Sequence, residues 1–198
     1  MSEGGIWSDL DVTCETEIAK WNVSSQPSSK LDMIIGLEFD MEYREGQQVS
    51  SQFTNWVMAA RPSSRHLQYV VDSIIAQLRQ IVDENGLDGF SGITLDMLSD
   101  VVDVTGPKSM TISILQSLGR TLGRSLDDRD FHGTKSPLLI GDVLILQGNA
   151  FAAAQNWFPM DQGKAYITHH YSGSWKAEGD AARERRKTLQ ESQTSAPG

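Results

Sequence analysis

Asp9 and Asp11 stand two residues apart behind the glycine pair Gly4-Gly5, in the run Ile6-Trp7-Ser8-Asp9-Leu10-Asp11. If that run is extended, side chains at i and i+2 point the same way. Both carboxylates then aim at one point, and Leu10 turns toward a core. Two convergent carboxylates make a hard, doubly negative oxygen site suited to Mg²⁺ or Mn²⁺. Such a cation completes its shell with water and with the phosphates of a substrate. The plain alternative for Asp-x-Asp in an acidic chain is a solvated strand end.

The far end of the chain carries a second reactive run, His169-His170-Tyr171-Ser172-Gly173-Ser174-Trp175-Lys176. In an extended segment the two histidines alternate, so they cannot both face one site. A neutral imidazole is a reasonable partner for Mn²⁺. Ser174 offers a hydroxyl and Trp175 an indole proton to a phosphate oxygen, and Gly173 lets the segment fold over it. The structural alternative is a terminal strand with Trp175 packed in the core. Between the two ends, Gln52 and Asn55 are read as neighbours on one helix face, able to share a ligand. Thr105-Gly106-Pro107 opens a helix, so its free amides and the Thr105 hydroxyl can meet a ligand. A simple helix cap explains that tripeptide equally well. Glu38, Asp40 and Asp142 are further acidic candidates to which the sequence assigns no role.

The elements that must position these residues follow from apolar spacing. Residues 12 to 31 read as a surface connection, with Cys14 a small buried residue. Met33 to Phe39 is a short apolar run and reads as a buried strand. Ser50 or Ser51 is expected to cap a helix carrying Phe53, Trp56, Val57 and Ala60 on one face, which Pro62 breaks. From Arg65 to about Asn85 the apolar residues follow i, i+3, i+4 almost without error, and Asn85-Gly86 supplies the stop. That helix is expected to be a core support. Residues 86 to 94 read as a loop, and Leu95, Leu98, Val101 and Val102 as a short helix. Pro107 suits the first turn of the next helix, continued by Met110, Ile114, Leu115, Leu118 and Leu122. The charged stretch from Arg120 to Asp130 reads as a solvated loop. Leu138 to Ile140, Val143 to Leu146 and Tyr166 to Tyr171 read as strands, and the polar residues beyond Lys176 as a disordered tail.

At 198 residues one sizeable core and one domain are the default. A formal net charge of −9 argues against an extended nucleic-acid surface. It leaves a local phosphate pocket open, because one divalent cation reverses the local field. Cys14 is the only cysteine, so no disulfide forms within the chain. No apolar run reaches the roughly 20 residues that span a bilayer. The first residues lack the basic-then-apolar pattern of a signal peptide.

Taken together, Gly4-Gly5-Ile6-Trp7-Ser8-Asp9-Leu10-Asp11 and the His169 to Lys176 run closely resemble the fungal initiation-specific α-1,6-mannosyltransferases. That family sits within the wider DXD-containing sugar transferases, glycosyltransferase family 32. Ile34-Ile35-Gly36-Leu37-Glu38, Gln52-Phe53-Thr54-Asn55-Trp56, Ala59-Ala60-Arg61-Pro62, Thr105-Gly106-Pro107 and Gly141-Asp142-Val143 fall in the same order. The resemblance covers nearly all of residues 4 to 176. One departure is Arg61-Pro62-Ser63-Ser64, where relatives continue Lys-Pro with Gly-His-Pro.

The resemblance implies an α/β fold, the carboxyl-terminal portion of a GT-A (Rossmann-like) domain with a mixed sheet flanked by helices. It divides the chain into a partial catalytic domain, 1–176, and a polar tail, 177–198, with earlier strands and helices expected upstream. It implies a retaining enzyme that moves mannose from GDP-mannose to a mannose-containing N-linked glycan, forming an α-1,6 bond. Mn²⁺ (or Mg²⁺) would be held by Asp9, Asp11 and His169, the histidine that best matches the family pattern. Asp9, Ser174, Trp175, Gln52 and Asn55 would contact the donor, and Thr105 and Gly106 the acceptor. The implied partners are a nucleotide sugar and a glycan acceptor on a glycoprotein. The implied location is the Golgi, with any membrane anchor upstream. Two competing readings are a non-catalytic remnant acting as a scaffold and, less well supported, a metal-dependent phosphohydrolase.

Overall fold

The structure is a computed structural model that describes residues 2–21, 23, 31–45, 49–98, 100–152, 163–173, 181, 184 and 185. Its centre is the strand β3, Met33–Asp40, whose apolar residues Met33, Ile35 and Leu37 are fully buried. β3 lies between β4, Ser51–Ala60, and β6, Val143–Leu146, in a five-stranded mixed sheet of order β1-β4-β3-β6-β5. β1 is Gly5–Ser8 and β5 is Leu138–Ile140. The pairing of β3 with β6 is parallel and the other three pairings are antiparallel. β1 forms one edge, with Ile6 and Trp7 exposed. A two-stranded ribbon joins β2, Val12–Cys14, to β7, Ile167–His169.

Helices flank this sheet. α1, Arg65–Glu84, packs on α3, Pro107–Leu122, and α3 packs on β4. α2 is the single turn Val101–Val104, and α4, Gly148–Ala152, packs on β3 and β7. The α3 helix begins as its sequence demands, with Pro107 in the first turn, and ends at Gly123 in the left-handed region. The Ser64 side chain caps α1, accepting from the Leu67 amide at 3.3 Å. Only His66 and Val70 of α1 are buried, so its apolar stripe supports the core chiefly at its first turns.

Several expectations are corrected. Residues 51–60 form a strand, not a helix. β4 is a central strand, and it carries irregularities that bring residues three apart to one side. Ile35 faces Met58 and Leu37 faces Phe53, so two steps along β3 span five along β4. Inserted residues of this kind mimic a helical period in the sequence. Asp9 to Asp11 is not extended: Leu10 and Asp11 form a turn between β1 and β2, and Leu10 is fully exposed. Cys14 is exposed, because it lies on the outer ribbon.

Residues 12 to 31 are not wholly a surface connection. β2 pairs with β7, and Trp21 is buried, stacked on Tyr166 with ring centroids 5.6 Å apart. The charged stretch after α3 is likewise not all solvated. Asp128 is buried and accepts from the Ser50 and Ser51 amides, tying the start of β4 to the turn at 128–130. The tail beyond Lys176 lies almost entirely outside the described residues.

Two anchors set the core. Gly36 faces the ring of buried Phe151, and a Cβ there would lie 2.6 Å from a ring carbon. Asp142 receives hydrogen bonds from buried His66, at 2.9 Å, and from Arg65. Burial works to raise the Asp142 pKa, but the hydrogen bonds from His66 and Arg65 and the electrostatic attraction of those two side chains together hold it below its ordinary value. Gly36→Ala should cost about 1–3 kcal/mol by overpacking, measured as a lower urea midpoint with unchanged m-value. Asp142→Asn should lower stability at neutral pH. A carboxylate with a depressed folded-state pKa stabilises above its unfolded value of 3.8 and loses that contribution as pH falls through the folded value. The gap between wild type and variant in urea titrations should therefore close below that pH.

Candidate functional site

The β2–β7 ribbon brings the two ends of the sequence together. Val12 is opposite His169 and Cys14 opposite Ile167. One residue before β2, the Asp11 carbonyl accepts from the His170 amide at 2.9 Å. Asp11 and His169 thus become neighbours, with Nε2 of His169 3.3 Å from the Asp11 carboxylate. Asp9 is fixed separately, its amide donating to the Trp56 carbonyl of β4 at 2.8 Å. Ligand atoms of Asp9, Asp11 and His169 all lie within 4.8 Å of one another. His170 faces elsewhere, with Nε2 2.7 Å from Thr13 Oγ1.

Neighbouring rings hold the imidazole of His169. Trp56 stacks on it at 4.5 Å, with planes 7° apart, and Tyr171 meets its edge at 4.2 Å. Trp56 is itself locked by an indole hydrogen bond of 2.9 Å to the Phe151 carbonyl. The backbone after β7 then turns sharply, with Tyr171 at φ 49° and Gly173 at φ 59°. A tyrosine in the left-handed region is strained, and such strain persists only where the surroundings enforce it. Here it directs the Ser172 amide onto Asp11, at 2.9 Å. That amide is the main cause of a lowered Asp11 pKa, with the nearby His169 adding to it. Asp11 therefore presents an ionised carboxylate at neutral pH.

These residues open onto a cavity of about 720 Å³. Glu38, Gln52, Asn55 and Trp56 line it from the sheet, Val102 and Pro107 from the α2–α3 junction, and Tyr171 to Gly173 from the final segment. Gln52 and Asn55 reach it together because of the β4 irregularity, not because of a helix face. Burial raises the pKa of Glu38, partly offset by a hydrogen bond of 2.6 Å from Gln52. Thr105 and Gly106 are not among the cavity's described lining. The Thr105 hydroxyl bonds the Val101 carbonyl at 3.3 Å, and a Cβ at Gly106 would strike the Val102 backbone at 2.5 Å. Both serve the tight α2–α3 turn. Ser174 and Trp175 lie outside the described residues.

Two lining groups escaped assignment from sequence. Trp56 reads there as a core residue, and it is both buried and the platform beneath His169. Glu38 carries no local signal beyond its charge, since its placement depends on how β3 pairs with β4. Asp40 and Asp142 do not line the cavity: Asp40 bonds Ser51, His132 and the Gly133 amide, and Asp142 holds His66 and Arg65.

Among the described residues lining the cavity there is no lysine or arginine, while Asp9, Asp11 and Glu38 are acidic. An anion such as a diphosphate would be repelled there unless a bound cation reversed the field. Two carboxylates and an imidazole are the right donors for Mn²⁺ or Mg²⁺. The donor set fits the ion.

No family model matches the chain, and no solved structure matches it. Two curated proteins do. An initiation-specific alpha-1,6-mannosyltransferase of Schizosaccharomyces pombe is 27% identical over 183 residues, covering 89% of this chain and 44% of that protein. A protein of the same name from Candida albicans is 21% identical over 209 residues, covering 90% of this chain and 51% of its own length. The chain is therefore a homologue of the initiation-specific alpha-1,6-mannosyltransferases, similar over nearly all of its own length and spanning about half of theirs.

Proposed function

We propose that this chain carries the metal-and-diphosphate part of the active site of a retaining mannosyltransferase with a GT-A type fold. The enzyme moves mannose from GDP-mannose to a mannose-containing N-linked glycan in the Golgi, forming an α-1,6 bond. The observation that carries this reading is the convergence of Asp9, Asp11 and His169 in a cavity whose described lining includes no lysine or arginine. The names of its two relatives support the same class of reaction. No helix among the described residues is long and apolar enough to cross a membrane.

Each residue has a physical task in this reading. Asp9, Asp11 and His169 would hold Mn²⁺ or Mg²⁺. That ion supplies Lewis-acid neutralisation of the charge gathering on the leaving diphosphate. The Ser172 amide keeps Asp11 ionised and aimed, and the Trp56 and Tyr171 rings fix the plane of the imidazole. Asn55 and Gln52 face the donor sugar from the sheet. Ser174 and Trp175, the further donor contacts that the resemblance implies, lie outside the described residues. The acceptor approaches on the side walled by Val102 and Pro107, whose turn Thr105 and Gly106 maintain. Front-side attack needs no protein nucleophile. The leaving phosphate oxygen takes the proton of the attacking hydroxyl, and the chain contributes position and electrostatics.

Calorimetric titration of the chain should show saturable GDP binding that requires Mn²⁺. Asp11→Ala and His169→Ala should each weaken it by about 100-fold or more, beyond the ~10–100-fold typical of supporting residues. His170→Ala, which alters only the Thr13 contact, should bind as wild type does. Absence of metal-dependent GDP binding in the wild-type chain, or retention of it in Asp11→Ala, would overturn the reading.

A further inference from the structure

The strand order β1-β4-β3 leaves the first half of β4 supported on one side. β1 pairs only with residues 57–60, so among the described residues Ser51 to Phe53 have β3 on one flank and no strand on the other. Amides two residues apart leave a strand on the same side, so those of Ser51 and Phe53 share a flank. Both are taken by side chains from outside the sheet. Asp128 Oδ2 accepts from the Ser51 amide at 3.0 Å and also from the Ser50 amide, and Thr111 Oγ1 of α3 accepts from the Phe53 amide at 2.9 Å. Ser50, Ser51, Phe53, Thr111 and Asp128 are all buried. Buried amides with no ladder to join must find such acceptors, because folded chains rarely leave them unpaired.

Gln52 lies between the two held amides. Its side chain is buried, lines the cavity shared with Asp9, Asp11 and His169, and donates to Glu38 Oε2 at 2.6 Å. The pairing of this stretch with β3 is irregular: from Leu37–Phe53 to Phe39–Gln52, two steps along β3 match one along β4. A slip of one residue turns every side chain to the other face, so an irregular ladder does not by itself fix the face that Gln52 takes. The acceptors outside the sheet do. The turn carrying Asp128 is rigid on its own terms, since Asp127 and Asp130 cap it reciprocally. Phe131, next to that turn, is buried and stacked on Phe53 with ring centroids 4.6 Å apart. A carboxylate shared by two backbone amides is a strong anchor.

We propose that Asp128, with Thr111, is a positioning residue for the candidate site. By holding the amides on either side of Gln52 it sets the β4 register that turns this carboxamide into the cavity. What the carboxamide meets there rests on the sugar-transfer reading above, in which Gln52 faces the donor sugar. The candidate metal ligands are held by other means: Asp9 by the Trp56 carbonyl farther along β4, and Asp11 and His169 by the β2–β7 ribbon.

The test compares the wild-type chain with Asp128→Ala, Asp128→Asn and Thr111→Val. Nuclear magnetic resonance of isotope-labelled protein follows the side-chain amide of Gln52, and calorimetry follows GDP and GDP-mannose in the presence of Mn²⁺. In Asp128→Ala the Gln52 resonances should move to the positions and fast solvent exchange of a free glutamine. The Trp56 indole resonance, on the same strand and bonded to the Phe151 carbonyl, should stay in place. Asp128→Asn keeps an acceptor oxygen and should retain most of the wild-type pattern. Thr111→Val is the milder change; it should move Gln52 in the same direction and decides the matter if Asp128→Ala does not fold. Affinity for GDP-mannose should fall about tenfold in Asp128→Ala, the scale of one lost hydrogen bond, with affinity for GDP unchanged. Gln52 resonances unmoved in the folded variants, a Trp56 shift as large as that of Gln52, or the same response of GDP and GDP-mannose overturns the proposal. If the wild type binds no GDP, the sugar-transfer reading falls, and the resonances alone decide whether Asp128 positions Gln52.

Discussion

The antiparallel pairing of Val12–Cys14 with Ile167–His169 is the constraint on which the site depends. Asp11 and Ser172 touch across 161 positions of sequence, and a loop of that length is closed only at an entropic cost. Three ladder pairs do not meet that cost alone. Burial behind the ribbon does: Ile167 and Tyr166 join a core that includes Trp21 and Phe151, and Trp56 packs beneath His169. The site is thus fastened to the hydrophobic core through its own side chains. His169 is both a candidate ligand and a stacked core ring.

A second constraint is the imperfect match between β3 and β4. A regular ladder would send alternate residues to opposite faces along its whole length. The shifts around Leu37 and between Phe53 and Met58 break that alternation at the strand ends nearest the cavity. They deliver Glu38, Gln52 and Asn55 to one wall while Leu37, Phe53 and Trp56 stay buried. Polar function and core packing are thereby drawn from the same two strands.

This is also why the chain was only partly legible as sequence. Elements set by local periodicity were readable: β3, β5 and β6 as apolar runs, and α1 and α3 as amphipathic stripes, α1 with its stop at Asn85-Gly86 and α3 with its start at Pro107. β4 was not, because its inserted residues place Phe53, Trp56 and Val57 at spacings that imitate a helix. Asp128 resembled surface charge because its partners, the amides of Ser50 and Ser51, lie more than 70 residues away. The pair Asp9 and Asp11 was recognisable by composition, but the geometry joining it was not the one expected. A turn with Leu10 thrown outward, not an extended strand, sets the two carboxylates toward His169.

The outer strand β1 has a consequence of its own. Among the described residues, Gly5 to Ser8 bonds to β4 along one side only, and Ile6 and Trp7 are exposed, Trp7 at 61%. None of the devices that blunt such a margin is present within those four residues: no lysine, no proline, no inward charge. Among the described residues, that margin leaves the sheet with unpaired backbone groups on which a further strand could be laid.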